Sequence, residues 1–373
     1  MKKVFPLLCA ATIVSSSFAV HAQADEQQTV ETVESEGEMI QEKNSLEEVK
    51  ELTLEDAIKR GTEVNTNIKI LQFNLEIAKN QLLKIKNDPK MTGQDIKKAE
   101  DHIDSLNGEM ENLKEGLRLT LTSSYMNMLL LQEEMDFTKK SLQSAINEVD
   151  KTQRLYNLGR LMKEALSQAE IARDNTEKQL KEQEKNYNRL LAAFSSDIGI
   201  AYNPNTVIKS IRFEALDFET PTNFTLLIEQ SYKMKKAQKS LESVMLNRDN
   251  VYKDYENGKD NVTIYDKAQQ DYQVKIAEEM MASTQVSIEA AIKQLYDKAE
   301  SSYSSYEEAV QQLEAKRKEM DGLQIRYNLG RISKYDYEKA QLGLAAAELN
   351  VYKAKVQNYT IQQSIAALQK GYI

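Results

Sequence analysis

From residue 54 onward, apolar side chains return at alternating intervals of three and four. Leu54, Ala57, Gly61, Val64, Ile68, Leu71, Leu75, Ala78, Leu82 and Ile85 form one such run, and Tyr337, Ala340, Leu344, Ala347, Val351 and Ala354 form the last. The longest begins Leu121, Ser124, Met128, Leu131, Met135, Thr138, Leu142 and continues through Ala145, Val149 and Thr152 to Tyr156. This is heptad spacing, and it predicts long α-helices packed as coiled coils. After the N-terminal region proline occurs only at Pro89, Pro204 and Pro221, and the stretches between are rich in strong helix formers. The pattern predicts helices over 52–86, 94–155 and 165–198, roughly 50, 90 and 50 Å long at about 1.5 Å per residue. Two short helices end to end therefore match one long one. The many Ala, Ser and Thr in the seams suit close, extended packing.

The chain also repeats itself. Tyr156-Asn157-Leu158-Gly159-Arg160 recurs as Tyr327-Asn328-Leu329-Gly330-Arg331, a displacement of 171 residues. The same shift, without a gap, carries Tyr125 onto Tyr296, Leu142 onto Leu313, Lys163 onto Lys334, Ala169 onto Ala340 and Glu177 onto Glu348. A tandem duplication follows, with a first helical repeat over 51–198 and a second over 224–373. Between them, 199–223 holds two prolines and the alternation Ile211, Phe213, Leu216, Phe218, which reads as a linker with one short strand. Each repeat has one break between a long helix and its return, centred on Gly159 or Gly330, where glycine supplies the left-handed residue of a tight helical hairpin. The expected fold is all-α: tandemly duplicated long antiparallel hairpins with a short irregular middle segment.

The ends change the picture. Residues 1–22 read as a signal peptide, with Lys2 and Lys3 before the apolar run 4–20 and Val20-His21-Ala22 as the cleavage site. Cys9 follows Leu8 at the start of that apolar run, which argues for simple cleavage over a lipid anchor. Residues 23–50 form an acidic leader, with ten acidic residues by Glu51, few large apolar ones and no period; the expectation is a flexible segment.

Cleavage would leave 47 basic and 58 acidic residues, a net charge of −11, which argues against a nucleic-acid partner. It would also remove Cys9, the only cysteine, and leave His102 as the sole histidine. No disulfide, thiolate nucleophile or histidine pair is then available, carboxylates are too evenly spread to single out a dyad, and no cofactor, metal or catalytic site is expected.

At this point the sequence resembles the TolC-type outer-membrane efflux proteins. The likeness rests on the duplication, on Leu52-Thr53-Leu54-Glu55-Asp56-Ala57-Ile58 followed by Asn65-Thr66-Asn67-Ile68, and on Tyr125-Met126-Asn127-Met128-Leu129-Leu130. The two Tyr-Asn-Leu-Gly-Arg turns leading to Ala169 and Ala340 complete it, so that it covers about 52–370. It implies a homotrimeric α-helical tube, each chain a coiled-coil α-barrel protomer. Tyr156, Gly159, Arg160, Tyr327, Gly330 and Arg331 would lie at a tip that meets a periplasmic-adaptor-like (membrane fusion) protein and, through it, an inner or cytoplasmic membrane transporter. Asp336 matches a position where some members carry a tip aspartate; the first repeat has Ala165 there.

One departure matters. Family members insert a β-hairpin in each repeat to build a membrane barrel, whereas the corresponding sites here are only 87–93 and about 256–263. A transmembrane strand needs about 9 to 11 residues and a hairpin twice that, so neither site has room. Tryptophan is absent and the 18 tyrosines are scattered, so no aromatic girdles form. The expected function is a conduit in an envelope export machine, placed in the cell wall or extracytoplasmic space rather than spanning an outer membrane. The alternative is a rod-like coiled-coil scaffold of the envelope with no lumen and no transport. A tube needs a second apolar stripe beside each seam, and Leu129, Leu130, Phe137 and Ile146 are candidates for one.

Overall fold

The computed structural model describes residues 46–259 and 262–372, so the predicted signal peptide and most of the acidic leader lie outside the described residues. Eight helices and two minimal strands follow in order: β1 (Glu51–Leu52), α1 (Leu54–Val64), α2 (Thr66–Asn87), α3 (Gly93–Asn157), α4 (Lys163–Asp197), β2 (Val207–Ile208), α5 (Thr225–Gln230), α6 (Tyr232–Glu256), α7 (Ile264–Asn328) and α8 (Lys334–Gln369). The fold is all-α, as expected.

The duplication is visible in the helix ends. α3 and α7 both have 65 residues, and both start with a capping box in which a threonine, Thr92 or Thr263, and the aspartate three residues on cap each other's backbone N–H groups. These boxes hold the Asp95 and Asp266 carboxyls below the usual carboxylate range, because the threonine hydroxyl and backbone donate to the charged form.

The predicted 52–86 helix is broken in two. Asn65 ends α1 with extended backbone geometry, and its side chain accepts from the Ile68 N–H at 3.1 Å, starting α2. Ser231 does the same between α5 and α6, accepting from Met234 N–H. Short polar side chains that capture the next turn's N–H turn a continuous seam into a corner.

Packing follows from the seam. α3 runs antiparallel to α4 along one part of its length and to α2 along the other, so α2 and α4 stand end to end beside it. α7 packs in the same way against α8 and α6. The two repeats join where α3 lies against α8, through a ladder of polar contacts that march in opposite directions along the two helices. Glu115 meets Lys370 at 2.7 Å, Glu134 meets Lys353 at 2.7 Å, and Asn147 Nδ2 donates to Glu338 at 3.1 Å. The result is a layer of four helical strands in the order α2/α4, α3, α6/α8, α7.

The thickest cores sit in the middle. One gathers Leu52, Tyr125, Leu129, Leu191, Phe194, Ile198, Ile208 and Val356; the other gathers Ile228, Ile288, Ile292, Tyr296, Ile365 and Leu368. The linker straps both, with Ile211 and Phe213 against the first and Phe218 and Phe224 against the second. Phe213 also packs edge-on to Tyr352, with ring centroids 5.8 Å apart.

Leu216 departs from the predicted alternation, because its backbone is held rather than its side chain. Asn358 accepts from the Leu216 N–H at 2.8 Å and donates to the Leu216 carbonyl at 3.1 Å, as a strand neighbour would. The leader's last residues are held as well. Ala201 N–H donates to the Glu47 carbonyl, Val207 N–H to the Lys50 carbonyl, and β1 pairs in parallel with β2. The Tyr125 hydroxyl lies 2.9 Å from the Leu52 carbonyl and 2.6 Å from that of Lys209, bridging the two segments.

The α3–α8 join contains a charge cluster. Arg118 donates to Glu115 at 2.5 Å and to the Gln363 side chain at 2.7 Å, while Lys370 reaches Glu115 from the far end of α8. Burial works to raise the Glu115 carboxyl, but the Lys370 and Arg118 hydrogen bonds and charges outweigh it and hold the carboxyl below its ordinary value. A carboxyl lowered in the fold adds stability above its ordinary value of 4.5 and loses it as pH falls through the folded value. Thermal denaturation between neutral and acid pH should show a fall in midpoint on acidification that is smaller in Glu115→Gln.

Candidate functional site at the tip and the lateral edges

Both tip turns close by the same hydrogen bonds. Arg160 N–H donates to the Leu155 carbonyl and Gly159 N–H to that of Tyr156, each at 2.9 Å; Arg331 and Gly330 repeat this with Arg326 and Tyr327. These are Schellman caps, and both glycines sit at φ +66. A Cβ at either glycine would meet nothing within 4 Å, so the cost of a side chain there is conformational alone. Gly330→Ala should lower stability by about 1 kcal/mol and leave helix content unchanged, read by chemical denaturation and circular dichroism.

The two turns lie at one end of the layer. Lys151 of α3 sits over the Tyr335 ring of α8 at 3.8 Å, one turn beyond the Asn147–Glu338 contact. Burial, with the Glu148 carboxylate beside it, pushes the Tyr335 hydroxyl up to about 12. Tyr327 stacks on Tyr337 with centroids 4.7 Å apart, and the Tyr337 hydroxyl donates to Gln324. Tyr327 is half-buried, whereas Tyr156, Gly159, Arg160, Gly330, Arg331 and Asp336 are exposed. Among the described residues, neither Arg160 nor Arg331 makes an ion pair within 4.0 Å.

Asp336 has a structural task. Its backbone N–H donates to the Ser333 hydroxyl, which in turn donates to its carboxylate at 2.6 Å, so the pair caps α8. The first turn lacks this device, since Met162 is the N-cap of α4 with no side-chain hydrogen bond. Met162 is 78% exposed, leaving room for change. Met162→Ser combined with Ala165→Asp should copy the second cap and raise stability by about 1 kcal/mol, measured by chemical denaturation.

Sequence reasoning missed the apolar tip residues. Leu158, Met162, Ile325 and Leu329 all face solvent there, and their place in the repeated Tyr-Asn-Leu-Gly-Arg motif is the signal that could have found them.

The expected second stripe lies elsewhere than on α3. Leu129 is buried and Leu130 half-buried in the chain's own core, Phe137 is half-buried, and Ile146 stands at the margin of exposure. α3 is an inner strand of the layer, covered on two sides. The unpartnered stripes are on the outer strands: Ile70, Phe73 and Ile77 on α2, and Tyr272, Ile276 and Met280 on α7. Each set is spaced three or four residues apart and so lies on one helix face. Phe73 is 67% exposed and Met280 66%.

The opposite end of the layer carries the short connections 88–92 and 257–263. The first has no room for a transmembrane hairpin, and the second is only seven residues long. Among the described residues no helix is long and apolar enough to cross a membrane, and no group of three or more His, Cys, Asp or Glu residues could hold a metal ion.

No protein-family model and no curated protein matches the chain. Solved structures do. CusC, described in connection with transmembrane channel formation, superposes with a TM-score of 0.59 at 11% identity, covering 85% of this chain and 92% of its own. The Campylobacter jejuni outer-membrane channel CmeC gives 0.58 at 13%, covering 86% of each chain. The Vibrio cholerae outer-membrane protein VceC gives 0.56 at 11%, covering 86% of this chain and 96% of its own. The fold of this chain is therefore that of the TolC-type outer-membrane channel proteins.

Proposed function

We propose that the chain is a conduit component of an export machine in the cell envelope. Three copies join edge to edge into a hollow helical tube. Its tip meets a periplasmic-adaptor-like membrane fusion protein coupled to an inner or cytoplasmic membrane transporter. The observation that carries this reading is the pair of apolar stripes on opposite edges of a four-strand layer. Such stripes are satisfied when the α2 edge of one copy covers the α7 edge of the next, and a head-to-tail contact of this kind closes into a ring when its rotation permits. The number three comes from the resemblance to the channel family, as do the adaptor and the transporter. The tip residues Tyr156, Gly159, Arg160, Tyr327, Gly330 and Arg331 then form the rim. Arg160 and Arg331 are its free cations among the described residues, and Asp336 holds the second turn in shape.

The test is a double substitution, Arg160→Ala with Arg331→Ala, in cells whose export depends on this protein. Helicity and thermal midpoint should stay nearly constant, because exposed charges contribute little to folding. Export and adaptor cross-linking should fall. Unchanged export and cross-linking, in an assay that responds to loss of the whole protein, would leave the scaffold reading in place.

A further inference from the structure

Near the end opposite the tip, α6 and α7 diverge around a cleft of 470 Å³ that α3 closes on one side with Lys98. Its walls are rich in carboxamides: Asn247 and Asn250 on α6, and Gln269, Gln270 and Gln273 on α7. The volume lies within the range of small-ligand clefts, about 300 to 1,000 Å³. Among the described residues, none of these five side chains makes a hydrogen bond within the protein. One helical turn before Lys98, the Gln94 amide nitrogen is buried without a partner.

The duplication supplies an internal control. Moving back by 171 residues, Asn247, Asn250, Gln269, Gln270 and Gln273 correspond to Glu76, Lys79, Lys98, Ala99 and His102. There Lys79 and Glu76 form an ordinary surface ion pair at 2.7 Å. The same helix pairing is thus built in the first repeat without a single carboxamide, so packing does not require the amides of the second.

Aromatic rings flank the cleft. Tyr265 and Tyr272 stand four residues before and three residues after Gln269, on the same face of α7, and are 82% and 65% exposed. A carboxamide presents a donor and an acceptor side by side, which matches an acetamido group at two points and a pair of neighbouring hydroxyls equally well. An exposed tyrosine ring offers an apolar face to the C–H face of a pyranose. With a single lysine and five neutral amides, the cleft suits an uncharged ligand.

We propose that this cleft binds a chain of N-acetylated amino sugars, a glycan-binding site in the second repeat only. The proposal stands independently of whether the protein conducts anything, because it concerns binding by the folded chain.

Calorimetric titration of the mature protein with a β-1,4-linked N-acetylglucosamine tetramer tests it. Saturable binding is expected, weakened about tenfold or more by Asn247→Leu with Gln270→Leu, since two polar contacts are lost. Glu76→Leu with Lys79→Leu, at the mirror positions, should leave affinity unchanged, and the deacetylated tetramer should bind at least about tenfold more weakly for want of the acetamido contacts. Circular dichroism checks that the variants fold; if the leucine pair loses helicity, the isosteric Asn247→Asp with Gln273→Glu pair decides in its place. No saturable binding, equal loss in cleft and mirror variants, or equal affinity for acetylated and deacetylated sugar would overturn the proposal.

Discussion

Aspartate at Phe73 and Ile276 dissolves the assembly while leaving each chain folded. Both side chains are large, apolar and exposed on opposite edges of the layer. Burying a side chain of this size contributes about 2 kcal/mol, so each substitution alone should weaken a contact between copies by about thirtyfold. A buried, unpaired carboxylate adds to that loss. In the isolated chain the same residues touch little, and the thermal midpoint should move by no more than surface changes usually cause, about 0.5 kcal/mol. Light scattering across a range of concentrations reads the first effect and circular dichroism the second. A variant that assembles as the parent does would remove α2 and α7 as the joining edges.

Asn358→Leu acts on the fold itself. Asn358 is fully buried in α8, and besides its two bonds to Leu216 it donates to Ser302 of α7 at 3.1 Å and accepts from Gln362 at 2.7 Å. Leucine has a similar shape and none of these bonds. The Leu216 N–H and carbonyl and the Ser302 hydroxyl lose a partner, at about 1 to 3 kcal/mol for each group left buried, and a total loss of about 3 kcal/mol is expected. Because Asn358 ties the 199–223 strap to α8 between the two cores, the loss should free that strap first. Hydrogen exchange at Leu216 should accelerate well before exchange in α3 or α7. Uniform acceleration across all helices would show that Asn358 supports the whole fold rather than the strap.

Much of this architecture is legible in the residues. The 171-residue repeat, the equal long helices and the glycine turns follow from spacing, because a seam that continues for 65 residues leaves the chain no other regular structure to adopt. The corners at Asn65 and Ser231 are harder to see. Each depends on one side chain capturing a backbone N–H, and the apolar period runs on through both.

The misplaced second stripe has a different cause. Leu129, Leu130, Phe137 and Ile146 look like an intermolecular face until they are set beside their repeat counterparts Glu300, Ser301, Glu308 and Arg317, all polar. Two helices of equal length with such different outer faces must occupy different places in the layer, one inside and one at an edge. At the tip, the glycines announce the turns, since φ +66 tolerates little else. The capping role of Asp336 was present in Ser333-x-x-Asp336, the same arrangement that starts α1, α3 and α7, but it competed with the family's tip aspartate for attention.

The central claim is that copies close edge to edge around a lumen. Electron microscopy of the purified mature protein tests this most directly, in end-on views. The account predicts three-fold rings with an open centre, lost in the Phe73→Asp, Ile276→Asp variant. Solid rods without a central opening, or single chains at every concentration, would contradict it.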